Sequence, residues 1–511
     1  MNLGLGFQLW QGWLKMMSDE RFKLHPISAV INFVKGLKDL IFPFVIVFVA
    51  NGFQGGGEGG WTSYIPYIIG ALVLTLVLTS GIIKWKRFVY WFEDDELRIE
   101  YGLFVKKKRY IPFERIQSVN YTEGIFHRPF KLVKLKIETA GSGVSDEAEA
   151  ELTAITKSAA SRIEKELADA KRRKSSSKLT EAQLVEEDIS LEESTVKTKK
   201  IYQMTSKELL VLATTSGGIG VVLSGLAVFV SQFSELIPYE RIYDEVVVFL
   251  KFGVLMVALS VFVFLLITWI LSLVLTTLNY HQFTIWQEDD QIVLTRGLLE
   301  KKKITIPLGR VQGIQIVENP LRQLFGYCTV TVESAGGSLS EKDQKIRLFP
   351  LIKKSEVRKY IEELFPNVEV NHSWIASPAK AKPFYYRIDF IWMVPVIGAV
   401  SYFYYPYGLL SLLLVPIMML VGIWQHRSAA FSILGNQLSL RYRGISLYTF
   451  ILEKKRMQKF EIKQSPFQRR RDLASVETTI KSGLLGATAK VEHLNLEDAE
   501  QIMTWYEPKN K

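Results

Sequence analysis

Four stretches of the chain contain no Asp, Glu, Lys or Arg. They cover residues 64–83, 209–234, 252–285 and 390–425. Each is long enough to cross the hydrocarbon core of a bilayer, which needs roughly 20 apolar residues. A weaker apolar stretch, about 33–52, precedes the first of them. The pattern predicts an integral membrane protein.

The longest apolar stretch is interrupted at Tyr405-Pro406-Tyr407-Gly408. This sequence is typical of a tight turn, so the stretch reads as two helices rather than one. We therefore predict six transmembrane helices in three hairpins, at residues 33–84, 201–279 and 386–425. Because both halves of the last hairpin are short, a re-entrant pair is an alternative there.

Apolar and polar residues alternate after each hairpin, as in half-buried strands. Residues 88–92 and 97–101 alternate around an acidic turn, and residues 132–138 and 329–333 alternate in the same way. Helix-like segments follow at 156–169 and 355–365. We expect a small barrel or sandwich closed by one helix. The predicted fold class is thus α-helical membrane hairpins alternating with three small β-barrel domains in the cytoplasm, α+β overall.

One pattern of about 40 residues occurs in all three strand-rich regions. The first two copies are related by a constant offset of 195, and first to last glycine is 39 positions in every copy. Fixed self-similarity of this kind indicates one supersecondary unit used three times. We take the recurring residues as the fold signature, with each Arg and Gln on one face of a strand: Gly102, Arg115, Gln117 and Gly141; Gly297, Arg310, Gln312 and Gly336; Gly444, Arg456, Gln458 and Gly483.

These patterns divide the chain into nine parts: an N-terminal cytoplasmic segment 1–32, hairpin 33–84, domain 85–170, linker 171–200, hairpin 201–279, domain 280–366, linker 367–385, hairpin 386–425 and domain 426–511. The linker 171–200 is charged and contains too little apolar surface to fold alone. We expect it to be flexible. A phosphorylation-sensitive electrostatic switch on the membrane is the alternative.

Lys and Arg residues lie on one side of the hairpins only. Lys84, Lys86 and Arg87 follow the first hairpin, whereas its tip, residues 54–63, has no basic residue. Because basic flanks stay inside, we predict a multi-pass protein of the bacterial cell membrane with the domains and both termini in the cytoplasm. The net charge of +11 then suits an anionic inner leaflet more simply than nucleic acid. The single cysteine, Cys328, excludes an intramolecular disulfide and is expected to be a buried, inert thiol.

Three basic clusters are candidates for binding anionic headgroups. Lysine triplets occupy matching positions in the first two copies, and each charge near a bilayer contributes about 1 kcal/mol; solvated strand residues are the alternative. A run of three arginines in the third copy presents forked donors suited to phosphate, or is an ordinary exposed run. The residues are Lys106, Lys107, Lys108, Lys301, Lys302, Lys303, Arg469, Arg470 and Arg471.

No motif for catalysis, phosphate cradling or metal binding occurs in the sequence. We therefore expect a protein that is not an enzyme, with no catalytic residue, no cofactor and no metal. A transporter or exporter subunit is the alternative function. It is disfavoured because transport usually leaves ionisable residues inside the spans, and these spans have none.

The order of Gly102, the Arg-x-Gln tripeptide and the closing Glu138-Thr139-Ala140-Gly141, each after a hairpin, resembles the triple-repeat type of bacterial membrane proteins with type 2 pleckstrin-homology-like domains. The resemblance implies a seven-stranded barrel capped by a helix in each repeat. It also implies a smaller single-domain relative as partner and a role in tolerance of bacteriocins or other antimicrobial peptides. We leave open whether the chain forms an oligomer.

One loop of the repeat departs from the family pattern in two copies. Residues 319–326 of the second copy, which include Arg322, are close to the family consensus. The first copy has His127 and Lys131 in place of the consensus Arg and Gly. A ligand of this loop, bound through Arg322, is therefore expected at one copy only.

Overall fold

The computed structural model describes residues 21–37, 65–139, 150–180, 198–216, 224, 254–335, 345–371, 373–482 and 486–507. Within them, each hairpin contributes a pair of helices: α1 Ile27–Leu37 and α2 Ile65–Arg87, α4 Ser206–Thr215 and α5 Val254–Tyr280, and α8 Lys382–Phe403 and α9 Leu414–Ser428. The α3, α6, α7, α10 and α11 helices belong to the strand-rich regions.

Three helices in the described part of the chain are long and apolar enough to cross a membrane. The spans are Ile68–Arg87, Ala258–Tyr280 and Tyr407–Ser428; shorter apolar helices cover Ile27–Leu37 and Trp392–Phe403. Most of the other predicted membrane segments, and the first two hairpin tips, lie outside the described residues. The break in the third hairpin is where the sequence predicts it. A Cβ on Gly408 would come within 2.2 Å of the Val400 carbonyl oxygen, so glycine allows the two arms to meet closely.

Each hairpin is followed by a unit of strands and a helix, which we call a module. Module 1 comprises β1 Phe22–Lys23, β2 Val89–Glu93, β3 Glu96–Tyr101, β4 Lys107–Pro112, β5 Ile116–Glu123, β6 Leu132–Thr139, β7 Ala150–Thr156 and α3 Lys157–Thr180. Module 2 comprises β8 Thr198–Gln203, β9 Thr284–Glu288, β10 Gln291–Arg296, β11 Lys301–Pro307, β12 Val311–Glu318, α6 Pro320–Leu324, β13 Tyr327–Ser334, β14 Lys345–Lys353 and α7 Lys354–Leu364. Module 3 comprises β15 Ile375–Ala376, β16 Ala430–Leu434, β17 Gln437–Arg443, β18 Leu447–Glu453, β19 Met457–Lys463, α10 Pro466–Arg469, β20 Leu473–Ile480, β21 Ala487–Asn495 and α11 Leu496–Tyr506. The repeated unit and the closing helix agree with the prediction.

The first strand of each module comes from the chain before the hairpin. In module 2, β8 pairs with β9, with Lys200 opposite Trp286. Residues 198–200 therefore belong to a sheet rather than to the predicted linker, and α3 also extends to Thr180 inside that linker. The sequence obscures β8 because an edge strand is held by the backbone of one neighbour and needs little apolar pattern of its own.

The sheets run between modules. β5 of module 1 pairs with β11 of module 2, and β12 of module 2 pairs with β18 of module 3. The result is two seven-stranded sheets, ordered β7-β6-β5-β11-β10-β9-β8 and β14-β13-β12-β18-β17-β16-β15, with a four-stranded sheet β1–β4 at one end and a three-stranded sheet β19–β21 at the other. Among the described strands, no module closes into the barrel that the resemblance implied. Each module is instead two facing half-sheets, and each inner half-sheet continues into its neighbour.

The module cores confirm the strand faces read from the alternation. Leu97, Ile99 and Ile137 are almost fully buried in module 1. Ile451 of module 3 is buried in the core of module 2, at the junction where β18 pairs with β12. A Cβ on Gly313 of β12 would lie 2.9 Å from Leu452, so a side chain is absent where the two modules approach most closely.

Candidate functional site

The turn after the third strand of each module lies against the end of the membrane helix that leads into that module. The Arg87 guanidinium donates a 2.7 Å hydrogen bond to the Leu103 carbonyl, and the Leu298 N–H donates to the Leu278 carbonyl at 2.8 Å. In module 3, the Gln425 side chain donates to the Gly444 carbonyl at 3.4 Å. These turns are therefore held at the membrane end of their modules.

The same turns expose large apolar side chains. Phe104 is 90% exposed and Val105 70%, Leu298 and Leu299 are 40% and 47% exposed, and Ile445 is 76% exposed. Isolated exposed apolar residues are ordinary on a protein surface. Here they recur at one place in all three modules, beside a helix suited to a bilayer, which makes them a candidate membrane contact.

Glycine shapes this turn in the first two modules. Gly102 has φ +137° and Gly297 has φ +105°, and a Cβ on them would lie 1.9 Å and 2.0 Å from the carbonyl oxygens of Val105 and Glu300. Only glycine fits such a turn. Gly444 has an ordinary φ and nothing within 4 Å of an added Cβ. The segment from this glycine to the signature arginine is one residue shorter in module 3 than in the other two modules.

A second apolar loop, between the fifth and sixth strands of each module, lies beside the first helix of the hairpin. Phe130 packs near His25, just before α1, with ring centroids 5.9 Å apart. Arg471 lies 6.0 Å from the ring centroid of Phe384 at the start of α8. The exposed apolar residues of this loop are Ile125, Phe126 and Phe130 in module 1, Leu321, Leu324 and Phe325 in module 2, and Phe467 in module 3. Each module thus directs two apolar loops toward its hairpin.

The two lysine triplets have different surroundings. In module 1, Lys106 and Lys108 form ion pairs of 2.6 Å and 3.4 Å with Glu100, and Lys107 is exposed on β4. This triplet follows directly after the apolar turn.

The triplet of module 2 lies in the junction with module 1. Lys301 faces Glu123 across the strands, and the Lys303 ammonium lies 5.6 Å from the ring centroid of Tyr121 and 3.5 Å from Glu164. Its lysines therefore contribute to packing between modules as well as to surface charge.

Arg322 is buried in module 2 and links it to the second hairpin. Its guanidinium donates to Thr215 Oγ1 of α4 at 3.0 Å, to Thr329 Oγ1, and to the Pro350 carbonyl at 3.4 Å. Burial lowers its pKa to about 10. The predicted ligand contact through Arg322 has no exposed guanidinium to serve it, so we assign this residue a structural role. Arg469, Arg470 and Arg471, by contrast, are exposed.

The Arg-x-Gln signature marks the entry into the fifth strand. Arg115, Arg310 and Arg456 each end a one-turn 3-10 helix, and each Gln is the second residue of the strand that follows. The arginine therefore precedes the strand and only the Gln belongs to it, which differs from the expectation that both lie on one strand. Gly141, Gly336 and Gly483 lie outside the described residues.

Two buried carboxylates at the module junctions belong to the closing motif read from the sequence, but they were not predicted as site residues. Glu138 is 3% exposed and accepts hydrogen bonds from Ser118 Oγ at 2.7 Å and Asn120 Nδ2 at 3.1 Å. Glu333 is 0% exposed and accepts from Ser482 Oγ of module 3 at 2.6 Å. Their signal in the sequence was the acidic residue that recurs inside an otherwise apolar strand end.

The single thiol is inert, as the sequence indicates. Cys328 is fully buried on β13, and burial raises its pKa to about 12. Among the described residues, no group of His, Cys, Asp and Glu side chains has the arrangement of a metal site.

The comparisons with known proteins agree with this architecture. A family model described as bacterial PH domain matches residues 42–171, 234–365 and 390–510, one match for each module and the membrane segment before it. The chain belongs to the bacterial PH domain family. This family is not a known enzyme family. This bacterial PH domain protein is also 37% identical over 498 residues to the UPF0699 transmembrane protein YdbT of Bacillus subtilis (strain 168), covering 96% of the present chain and 99% of that relative. No solved structure gives a significant match.

Proposed function

We propose that this protein is a non-enzymatic membrane scaffold that holds three PH-like modules against the inner leaflet through their apolar loops and basic residues. The observation that carries the proposal is the position of the Phe104 turn. The turn accepts a hydrogen bond from Arg87, the last residue of an apolar helix. The Phe104 side chain is almost fully exposed, and Lys106 follows directly after the turn. An exposed apolar turn next to basic residues is suited to an anionic bilayer surface, because burial of apolar side chains and attraction to anionic lipid act together.

The continuity of the sheets supports a hairpin topology. Modules joined edge to edge by β5·β11 and β12·β18 pairing must lie on the same side of the bilayer. The chain between them then crosses the membrane an even number of times. With the basic residues Lys84, Lys86 and Arg87 at the module end of α2, this favours six spans with the modules and both termini in the cytoplasm.

Assembly with a smaller single-domain relative and tolerance of antimicrobial peptides rest on the family resemblance alone. We include them as the expected biological setting of the scaffold. No described contact favours the transporter alternative over this setting.

The proposal is tested by the depth of the apolar turn in a lipid nanodisc. Because Cys328 is buried, Phe104→Cys and Leu299→Cys each carry one reactive thiol for an environment-sensitive fluorophore. The matched control is Asn436→Cys, in the exposed turn at the other end of the third strand of module 3. We expect blue-shifted emission, quenched by lipids with a nitroxide near the headgroup, at 104 and 299 but not at 436.

The lysines are tested in the same system. Replacing Lys106, Lys107 and Lys108 by Gln should weaken the response of the label at 104 to phosphatidylglycerol relative to phosphatidylcholine. The response of the parent protein should fall with salt, because exposed charges are screened beyond about 10 Å at 0.1 M. Solvent-like emission at 104 in both lipids would overturn the proposal.

A further inference from the structure

The series of modules ends on two strands of the kind that joins one module to the next. Both inner junctions pair the fourth strand of one module with the fifth strand of the module before it. β4, at one end of the series, has no such neighbour among the described residues, and neither does β19 at the other. A strand edge with unpaired N–H and C=O groups is a template for another strand.

The β4 edge is built like the edge that is filled in module 2. Residues 106–112 and 301–307 are identical at five of seven positions, namely the three lysines, the isoleucine and the proline. At the filled edge, Glu123 lies opposite Lys301. The Thr305 N–H there donates to the Asn120 side chain at 3.0 Å. A strand seated on β4 in the same register would place a carboxylate opposite Lys106 and an amide opposite Arg109.

The charge of β4 favours an acidic occupant. Lys106, Lys107, Lys108 and Arg109 are consecutive, and Glu100 forms ion pairs with Lys106 and Lys108. The strand edge remains positive overall. Opposite charges across paired strands stabilise the pair, and like charges placed opposite each other destabilise it.

The other end of a second copy does not match this requirement. In the shared register, β19 would set Lys463 opposite Lys107 and Gln464 opposite Lys106, so no carboxylate would face Lys106. Glu461 would lie opposite Arg109, which is an attractive pair but not the amide of the filled edge. The buried junction glutamate is also missing there: Ser118 pairs with Glu138 and Gly313 with Glu333, whereas Lys459 pairs with Thr479. The β19 edge thus lacks both the terminal carboxylate and the buried junction glutamate that the two filled fifth strands have.

We propose that the β4 edge binds an antiparallel strand of another protein, one that carries a carboxylate opposite Lys106 and a side-chain amide opposite Arg109. The strand would pair with β4 in the same way that β5 pairs with β11, through backbone hydrogen bonds. The charged side chains would determine the register. This site goes beyond the membrane contact proposed above. It uses the backbone edge of β4, whereas the membrane contact uses the turn before it; the two sites share the lysines at the start of β4.

The test is disulfide trapping with a probe peptide on the full chain in nanodiscs. The peptide copies residues 115–124, the β5 strand, with Val119→Cys, and the protein carries Tyr110→Cys. These positions would lie directly opposite, where Cα atoms of paired strands are about 4.5–5.5 Å apart, a separation that a disulfide spans. Lys108→Cys with a Tyr121→Cys peptide tests the same register independently.

The matched control is Thr305→Cys, the equivalent position on an edge that β5 already fills. We expect trapping at 110 and 108 but not at 305, and roughly fivefold less trapping when the peptide also carries Glu123→Lys. Trapping at 110 and 108 no greater than at 305 would overturn the proposal. Disulfide dimers formed on mixing the Tyr110→Cys and Phe460→Cys proteins would overturn it too, because a second copy would then be the occupant.

Discussion

The side chain of Asn120 in module 1 accepts a hydrogen bond from the backbone N–H of Thr305 in module 2, at 3.0 Å. The same amide donates to the buried Glu138. One residue thus satisfies a backbone group of the neighbouring module and a carboxylate of its own. The junction between modules is therefore a polar network inside a continuous sheet, and its removal has a defined cost.

We predict that Asn120→Ala destabilises the junction of modules 1 and 2. The substitution leaves the Thr305 N–H and a Glu138 oxygen without this partner, which costs about 1–3 kcal/mol for a buried group. The measurement is thermal unfolding in nanodiscs, with proteolysis between the modules as a second readout. Glu461→Ala, the equivalent position on the terminal strand β19, should change stability little. Equal losses for both variants would contradict the junction role.

Arg322→Met should lower stability by about 2 kcal/mol, since hydrogen bonds from a charged donor contribute about 1.5–3 kcal/mol. It should leave binding of anionic lipid unchanged, because Arg322 is only 9% exposed. Arg470→Met, at an exposed arginine, is the control and should leave stability unchanged. Unfolding temperatures and phosphatidylglycerol retention after purification decide between a structural role and a lipid-binding role for Arg322.

Gly102→Ala should disrupt the apolar turn of module 1. The added Cβ would lie 1.9 Å from the Val105 carbonyl oxygen, at a φ of +137° that alanine avoids. Strain of this kind costs about 1–3 kcal/mol. Gly444→Ala is the matched control, because its φ is ordinary and an added Cβ meets nothing within 4 Å. A comparable loss of stability in both variants would show that the turn conformation is not the cause.

Stability should depend on pH through His493. His493 is 5% exposed, its ring packs near those of Phe384 and Tyr385, and Gln468 Nε2 donates to its Nδ1 at 2.8 Å. Burial lowers the pKa of His493, with Glu492 opposing the shift and Lys490 adding to it. The folded protein therefore holds the neutral ring, while the unfolded chain takes up a proton near a pKa of about 6.5.

It follows that this contribution is complete above about pH 6.5 and is lost as the pH falls from there toward the lower folded pKa. Unfolding of the parent protein should be compared with His493→Asn between pH 7.5 and 5.5. Asparagine tolerates the positive φ at this position, +56°. We expect a steeper loss of stability in the parent. Parallel profiles would remove His493 as the source.

The topology predicts which side of the membrane each engineered thiol faces. An impermeant maleimide should label Gly57→Cys in intact cells, and Asn436→Cys only after the membrane is opened. The parent protein serves as the blank, because Cys328 is fully buried. Labelling of Asn436→Cys in intact cells would rule out the cytoplasmic location of module 3.

Much of the architecture can be predicted from the sequence, because it depends on residues that are close together in the chain. Strand alternation in residues 97–101 sets which side chains are buried, because side chains of a strand point alternately to opposite faces. The break at Pro406 can be predicted because proline and glycine determine the local backbone conformation. The three repeats are legible because similar sequences fold into similar units.

The tertiary structure decided which strand edges meet. The alternation of apolar and polar residues predicts which face of a strand is buried. It does not predict which strand pairs with its edge, because the backbone hydrogen bonds are the same for every partner strand. The strand pattern therefore left a barrel and a sandwich open, and the resemblance implied a barrel, whereas β5 pairs with β11 of the next module. The burial of Arg322 and Glu333 also depends on contacts between residues that are distant in the sequence. From the sequence alone a charged side chain is predicted to be exposed, because the groups that surround it are brought together only by the fold.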